Sequence, residues 1–387
     1  MRQARLLPRT LSGFTIVELL VALLIGLFGS IAIMQVFATS EAGRRATGSM
    51  ANTQSNGLVG LYAIERDLQQ AGMGMSDLRT LGCTVLSDNA PTANMNGALM
   101  VPAAIIPVGA SAADNVWGIP AGDANSDMLV IAYARAVNMM EGTPLTRANS
   151  GSPYRLTNVL GVGVGDSLMI AQSGRQCTIG QVNSVEQSTE EVTLSSLASD
   201  SYTTNAYAFN LGANPRLVAY AVRNGMLTVC DFMLSDCSDG GLTGDATVWQ
   251  PVVSDIVAMI GQYGWDTSAP ADMIADAFCK TRLTSGGTCV SSDSGSPGAG
   301  NAGLTQNQRA CDWSRIPAIR IGLVMRSGQY EKEEVSPASI KLWADSAVAP
   351  TTTGPTFTVP DRHYRYRVTY STVALRNIIW LGAQSSC

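Results

Sequence analysis

Apolar residues crowd the start of the chain without a break, then thin into two different periods. From Phe14 to Phe37, FTIVELLVALLIGLFGSIAIMQVF, the only charge is Glu18 and the only amide Gln35. As a helix this stretch reaches roughly 36 Å, enough to cross a bilayer core of about 30 Å. From Glu41 to Met75 the apolar positions return at helical spacing. Leu58, Leu61, Tyr62, Glu65 and Leu68 form one stripe, widened by Ile64 and Ala71. This half is amphipathic and is expected to pack on a head domain. Gly26, Gly29, Gly43, Gly48, Gly57 and Gly60 each weaken a helix by about 1 kcal/mol relative to Ala. They permit either bending or close packing against neighbouring helices.

After Gly82 the period falls to two, with turn residues between the runs. Residues 128–134, 166–171 and 178–182 read as strands. The clearest hairpin joins Leu217–Arg223 to Met226–Cys230 through Asn224-Gly225, a pair that tolerates the positive φ angles of a tight turn. Further strands are expected at 316–326 and 365–376. Val253–Tyr263 suits helix or strand equally. Residues 291–301 and 347–359 are polar or Pro/Thr-rich and read as loops. No fixed-period repeat is present. The pattern divides the chain into residues 1–13, an apolar helix at 14–37, an amphipathic helix at 38–75, and a β-rich head at 76–387 with room for two sheets.

Composition narrows the function classes. Charged residues make up 14% of the 387, against about 25% in an ordinary soluble domain. A net charge of −5 gives no general phosphate-binding surface. With His363 as the single histidine, multi-histidine metal sites and most histidine-based triads fall away. The eight cysteines, Cys83, Cys177, Cys230, Cys237, Cys279, Cys289, Cys311 and Cys387, contain no C-x-x-C pair and suit disulfides in an oxidising compartment. The close pairs Cys230/Cys237 and Cys279/Cys289 offer loop-pinning bridges, among 105 possible connectivities. Three lysines stand against 22 arginines; the planar guanidinium suits protein–protein ion pairs, although base composition gives the same bias.

Four stretches invite a chemical reading, and each has a plainer one. Asp123-Ala-Asn125-Ser-Asp127 opens like a calcium loop but lacks the glycine and glutamate that complete it, so a turn into a strand is the better account. Asp266, Asp272 and Asp276 form a looser acidic loop. Gly161-Val-Gly163-Val-Gly165 leads into a strand, whereas a phosphate cradle needs a helix N-terminus. In Asp361–Arg367 a strand sets His363, Arg365 and Arg367 on one face and Tyr364 and Tyr366 on the other. That face suits stacking on single-stranded nucleic acid, but a solvated cationic face over a tyrosine core is the favoured reading. No nucleophile motif accompanies His363. The chain is expected to be no enzyme, to hold no cofactor or metal, and to bind no nucleic acid.

Glu18 is the informative charge. A secretory signal has an apolar core of only about 7–15 residues and a small-residue cleavage site. A plain anchor fits the length but leaves a carboxylate inside the apolar run, which costs a few kcal/mol. The segment Ser12-Gly13-Phe14-Thr15-Ile16-Val17-Glu18, behind the basic leader Arg2, Arg5 and Arg9, resembles the class III signal of type IV prepilins. That resemblance implies cleavage between Gly13 and Phe14 by the prepilin peptidase, N-methylation of Phe14, and a role for Glu18 in subunit assembly through pairing with a Phe14 ammonium. Losing the leader leaves 22 cations against 30 anions.

Further segments carry a narrower resemblance. Val164–Ile170 with Cys177, Ile316–Ser327, Tyr370–Asn377 and Ala63–Met73 are similar to stretches of the PilW family of type IV pilus minor pilins. The resemblance implies an α+β type IV pilin fold, a long N-terminal helix on a large antiparallel β-rich head. It implies a single-pass inner-membrane subunit with a periplasmic head, later carried to the cell surface in the pilus. Implied partners are other minor pilins, the major pilin, the prepilin peptidase, the inner-membrane assembly platform and a large tip adhesin. A J-type minor pseudopilin of type II secretion shares the Glu18 motif, though such heads are shorter. A membrane-tethered periplasmic enzyme or DNA binder is the third alternative.

Overall fold

The computed structural model of the chain describes residues 13–88, 93–111, 114–135, 142–195, 199–282, 289, 304–343, 354–379 and 381. Helix α1 runs Ile16–Gln70. The chain forms two compact units that divide after Ala51, so α1 contributes its first part to one and its last nineteen residues to the other.

In the second unit the strands follow in chain order: β1 (Cys83–Leu86), β2 (Leu99–Met100), β3 (Ala103–Ile106), β4 (Met128–Tyr133), β5 (Thr143–Pro144), β6 (Tyr154–Arg155), β7 (Ser167–Ala171), β8 (Cys177–Glu186), β9 (Glu191–Leu194), β10 (Tyr207–Asn210), β11 (Arg216–Arg223), β12 (Met226–Asp231), β13 (Gln250–Ser254), β14 (Ile256–Trp265) and β15 (Ala277–Cys279). Helix α2 (Gln306–Ser314) comes next, then β16 (Ala318–Tyr330), β17 (Ser339–Lys341), β18 (Thr356–Thr358) and β19 (Tyr364–Ala374). The pairings are antiparallel throughout except for β1 with β8. One sheet orders β13-β12-β11-β4-β3, another β15-β14-β16-β19, and the largest carries β2-β1-β8-β7-β10-β5 with β6 and β9 branching from it. A two-stranded ribbon, β17-β18, completes the set. There are thus more sheets than the two expected.

The β11–β12 hairpin turns at Asn224 (φ 52°) and Gly225 (φ 72°), both in the left-handed region the dipeptide tolerates. The ambiguous stretch 253–263 is mostly β14, buried along nearly its whole length; strands covered on both faces lose the alternation that identifies them. Part of the expected loop 347–359 is strand β18, because Phe357 is drawn into a small core with Leu342, Trp343 and Tyr366. The expected loop at 291–301 lies outside the described residues.

Helix α1 ends at Gln70, short of the expected Met75. Gly72 (φ +77°) breaks it in the left-handed conformation and donates its N–H to the Ala132 carbonyl at 2.9 Å. Asn377 Nδ2 donates to the carbonyls of Gln70 and Ala71 at 3.1 and 3.0 Å, satisfying groups that a helix end leaves bare. From this helix Leu61, Ile64 and Leu68 enter the main core, joined by Ala71 just past its end.

Gly57 and Gly60 explain how close the helix lies. A Cβ on Gly57 would overlap Met325 Sδ on β16, and one on Gly60 would meet Val253, Leu227 and Leu323 at 2.9–3.3 Å. Gly26, Gly29, Gly43 and Gly48 have nothing within 4 Å. Two of the six glycines therefore serve packing against the sheets. Helix α2 braces the turn after α1: Gln306 Nε2 donates to the carbonyls of Leu78 and Leu81, and Arg309 Nε to that of Gly82.

Candidate functional site

At the N-terminal end, Thr15 precedes the first helical residue and Glu18 sits three residues later. Thr15 N–H and Oγ1 both donate to Glu18 Oε2 at 3.4 Å, and Glu18 N–H returns to Thr15 Oγ1 at 3.3 Å. This reciprocal pattern is a capping box, which satisfies donors that a helix start leaves open. It gives Glu18 an intramolecular contact that the sequence reading did not consider. Phe14 is 85% exposed, and large apolar side chains from Ile16 to Phe37 are likewise uncovered. The stretch is long and apolar enough to cross a membrane. Residues 1–12 of the leader lie outside the described residues.

Beside the head strands, the charge of greatest consequence is Asp67 on α1, to which the sequence alone assigned no role. Its side chain is fully buried. Tyr220 on β11 donates to Oδ2 at 2.7 Å and Tyr133 on β4 to Oδ1 at 3.1 Å. Arg66, largely exposed, reaches the same carboxylate at 3.4 Å. Burial raises the pKa of Tyr220 and of Tyr133, and the Asp67 charge raises both further. The two phenols stay protonated and serve as donors. A buried carboxylate with three partners pins the helix to two strands.

The other stretches with chemical potential are each tied down by protein groups. Asp123 accepts from the N–H groups of Asn224 and Gly225 at 2.9 and 2.8 Å. Asp127 is held by Lys280 at 2.7 Å and by the N–H groups of Gly261 and Val108, and leads directly into β4. Asp266, Asp272 and Asp276 bond to backbone N–H groups of their own loop. Among the described residues no set of three His, Cys, Asp or Glu is placed to hold a metal ion. In the glycine-rich stretch, Asp166 Oδ2 accepts from Gly163 N–H and Asn210 Nδ2 at 2.8 and 2.9 Å, and β7 follows.

The 361–367 stretch enters β19 with Tyr366 buried and Arg365 and Arg367 exposed on the opposite face. Arg365 pairs with Glu331 at 3.1 Å and Arg362 with Glu334 at 2.5 Å. His363 stacks on Tyr330 with ring centres 5.1 Å apart. Two of the cations in this stretch, Arg362 and Arg365, are thus paired with carboxylates.

Arg320 on β16 is 6% exposed and lies between the rings of Phe278 and Trp343, 4.1 and 4.4 Å from their centres. Gln262 Oε1 accepts from its Nε and Nη2. Burial without a carboxylate lowers its pKa to about 10. The cation thus joins β15 to the Trp343 side chain that follows β17.

Disulfides join Cys83 to Cys177, Cys230 to Cys237 and Cys279 to Cys289. Cys311 is also disulfide-bonded, and Cys387 lies outside the described residues. The first bridge spans 94 residues and ties β1 to β8, a link that spacing alone does not reveal.

What the described residues bring together is a scaffold with an exposed apolar helix. Residues 219–377 match the model of the PilW family, type IV Pilus-assembly protein W, as expected of a PilW-family protein. No curated protein and no solved structure matches the chain.

Proposed function

We propose that this PilW-family protein works as a minor pilin of the type IV pilus: it helps prime fibre assembly and sits in the tip complex with other minor pilins, where a large adhesin is presented. The family match supports a role in pilus assembly. The observation that carries the finer reading is the exposed apolar helix with Glu18 in its first turn, since such a surface needs a bilayer or neighbouring helices to cover it. In this reading the prepilin peptidase cuts between Gly13 and Phe14, Phe14 is N-methylated, and Glu18 neutralises a Phe14 ammonium within the fibre. The protein starts in the inner membrane with its head in the periplasm. It acts by assembly and not by catalysis, in support of adhesion and twitching. The family match favours the pilus over type II secretion.

Counting surface pili in cells that carry Glu18→Ala in place of the native residue tests this. Sharply reduced piliation with normal membrane insertion is expected; unchanged piliation would refute the role assigned to Glu18.

A further inference from the structure

Strand β19 is the long sheet edge that the described residues leave open. Its one neighbour is β16, along its whole length. Other edges are short or blunted: β15 has three residues, β13 carries Pro251, and β3 is buried throughout. The run from Tyr366 to Ala374 contains no proline and no bulge.

The phase of its hydrogen bonds follows from Leu375, whose N–H donates to the Pro317 carbonyl at 2.8 Å, continuing the register in which Ala374 faces Ala318. Antiparallel residues alternate between bonding their partner and turning away from it. Odd-numbered residues of β19 therefore bond to β16, while Tyr366, Val368, Tyr370 and Thr372 turn N–H and C=O outward. Those outward groups have no partner among the described residues. Tyr370 is 57% exposed, and Thr372 is exposed beside it.

Charge brackets this edge. Arg365 and Arg367 stand near one end and Arg376 just past the other, all three exposed. Arg365 pairs with Glu331, whereas Arg367 and Arg376 have no ion pair among the described residues. We propose that β19 accepts an added strand from another protein: an extended, β-branched segment flanked by carboxylates. Backbone bonds supply the affinity in such an addition and the flanking charges the selection. A second copy of this chain is disfavoured. Antiparallel self-pairing would bring the arginine-flanked ends of two copies together, and like charges brought close repel. The inference stands independently of the pilus reading.

Residue-resolved amide exchange on the full chain in detergent micelles tests it. The probe is a synthetic peptide of alternating Val and Thr flanked by glutamates; the control has arginine flanks. In the free chain the amides of Val368, Tyr370 and Thr372 should exchange fast and those of Ser371 and Val373 slowly. The glutamate-flanked peptide should slow the outward set by about tenfold or more, and the control should not. Thr372→Pro deletes an outward N–H without costing a bond to β16, so it should fold and lose this protection; Thr372→Glu, whose carboxylate repels the glutamate flanks, should weaken it if the proline variant fails to fold. The proposal is overturned if the outward amides are already slow in the dilute free chain, if neither peptide slows them, or if both peptides act equally. Protection that rises with chain concentration alone would overturn it in favour of self-pairing.

Discussion

The Tyr220 hydroxyl donates to Asp67 Oδ2 at 2.7 Å, across a gap of 153 residues in sequence. A hydrogen bond to a buried charge is worth about 1.5–3 kcal/mol, so Tyr220→Phe should lower head stability by that amount. Asp67→Ala should cost more, because two tyrosines then lose their acceptor. Denaturant unfolding followed by tryptophan fluorescence measures both; a loss below about 0.5 kcal/mol for either would show that the contact carries little.

The same pair gives a pH dependence. Burial raises the Tyr220 pKa above its unfolded value of about 10. A group raised on folding contributes stability that is complete below the unfolded pKa and is lost as pH climbs from there towards the folded value. Thermal stability should therefore decline above about pH 10, and the decline should be shallower in Tyr220→Phe. Identical slopes in the two proteins would count against this assignment.

Helix-to-sheet contact at Gly60 should be intolerant of bulk. Gly60→Ala drives a methyl into Val253 and Leu227 and should destabilise by about 1–3 kcal/mol. Gly48→Ala meets open space and should leave the head's melting temperature unchanged. A neutral Gly60→Ala would mean that the helix is free to shift away.

The bridges should differ in strength. Loop-closure entropy assigns about 4–5 kcal/mol to Cys83–Cys177, with its separation of 94, and about 2–3 to Cys230–Cys237, with 7. Paired serine variants compared by calorimetry should rank in that order. The reverse ranking would place the stabilisation in the native contacts instead.

Glu18 has two candidate duties, and glutamine separates them. A glutamine at this position keeps the capping box with Thr15 but carries no charge. If charge pairing in the fibre is its purpose, Glu18→Gln should pilate as poorly as Glu18→Ala. Near-normal pili in the glutamine variant would assign the residue to capping. Mass spectrometry of the assembled protein should begin at N-methyl-Phe14, and a chain retaining Met1 would rule out the leader reading.

What could be read from the chain followed local rules. Asn224-Gly225 announced its hairpin because few dipeptides accept two positive φ angles, and β4, β7 and β16 appeared as runs of β-forming residues between turns. The helix was visible throughout, but its end was misplaced by five residues, since Gly72 and Asn377 stop it through partners distant in sequence. Asp67 escaped notice for the same reason: an acid in an amphipathic helix looks solvated until Tyr133 and Tyr220 arrive from two strands. β14 hid because burial on both faces erases alternation. Of the candidate site, Gly13, Phe14 and Glu18 were evident as a motif, whereas the Thr15 cap needed geometry. The open edge of β19 depends on which strands lie beside it, a property of topology that no window of sequence contains.

Asn377 caps a helix whose last carbonyls lie 306 and 307 residues earlier. A chain synthesised from its N-terminus holds α1 first and Asn377 almost last. Until then the end of α1 lacks its final donors, and β19, which must cross β16 before Leu375 can close on Pro317, is still missing. The end of α1 is thus completed only by residues close to 377: a chain cut short before them would keep bare helix carbonyls and a β16 without its outer neighbour.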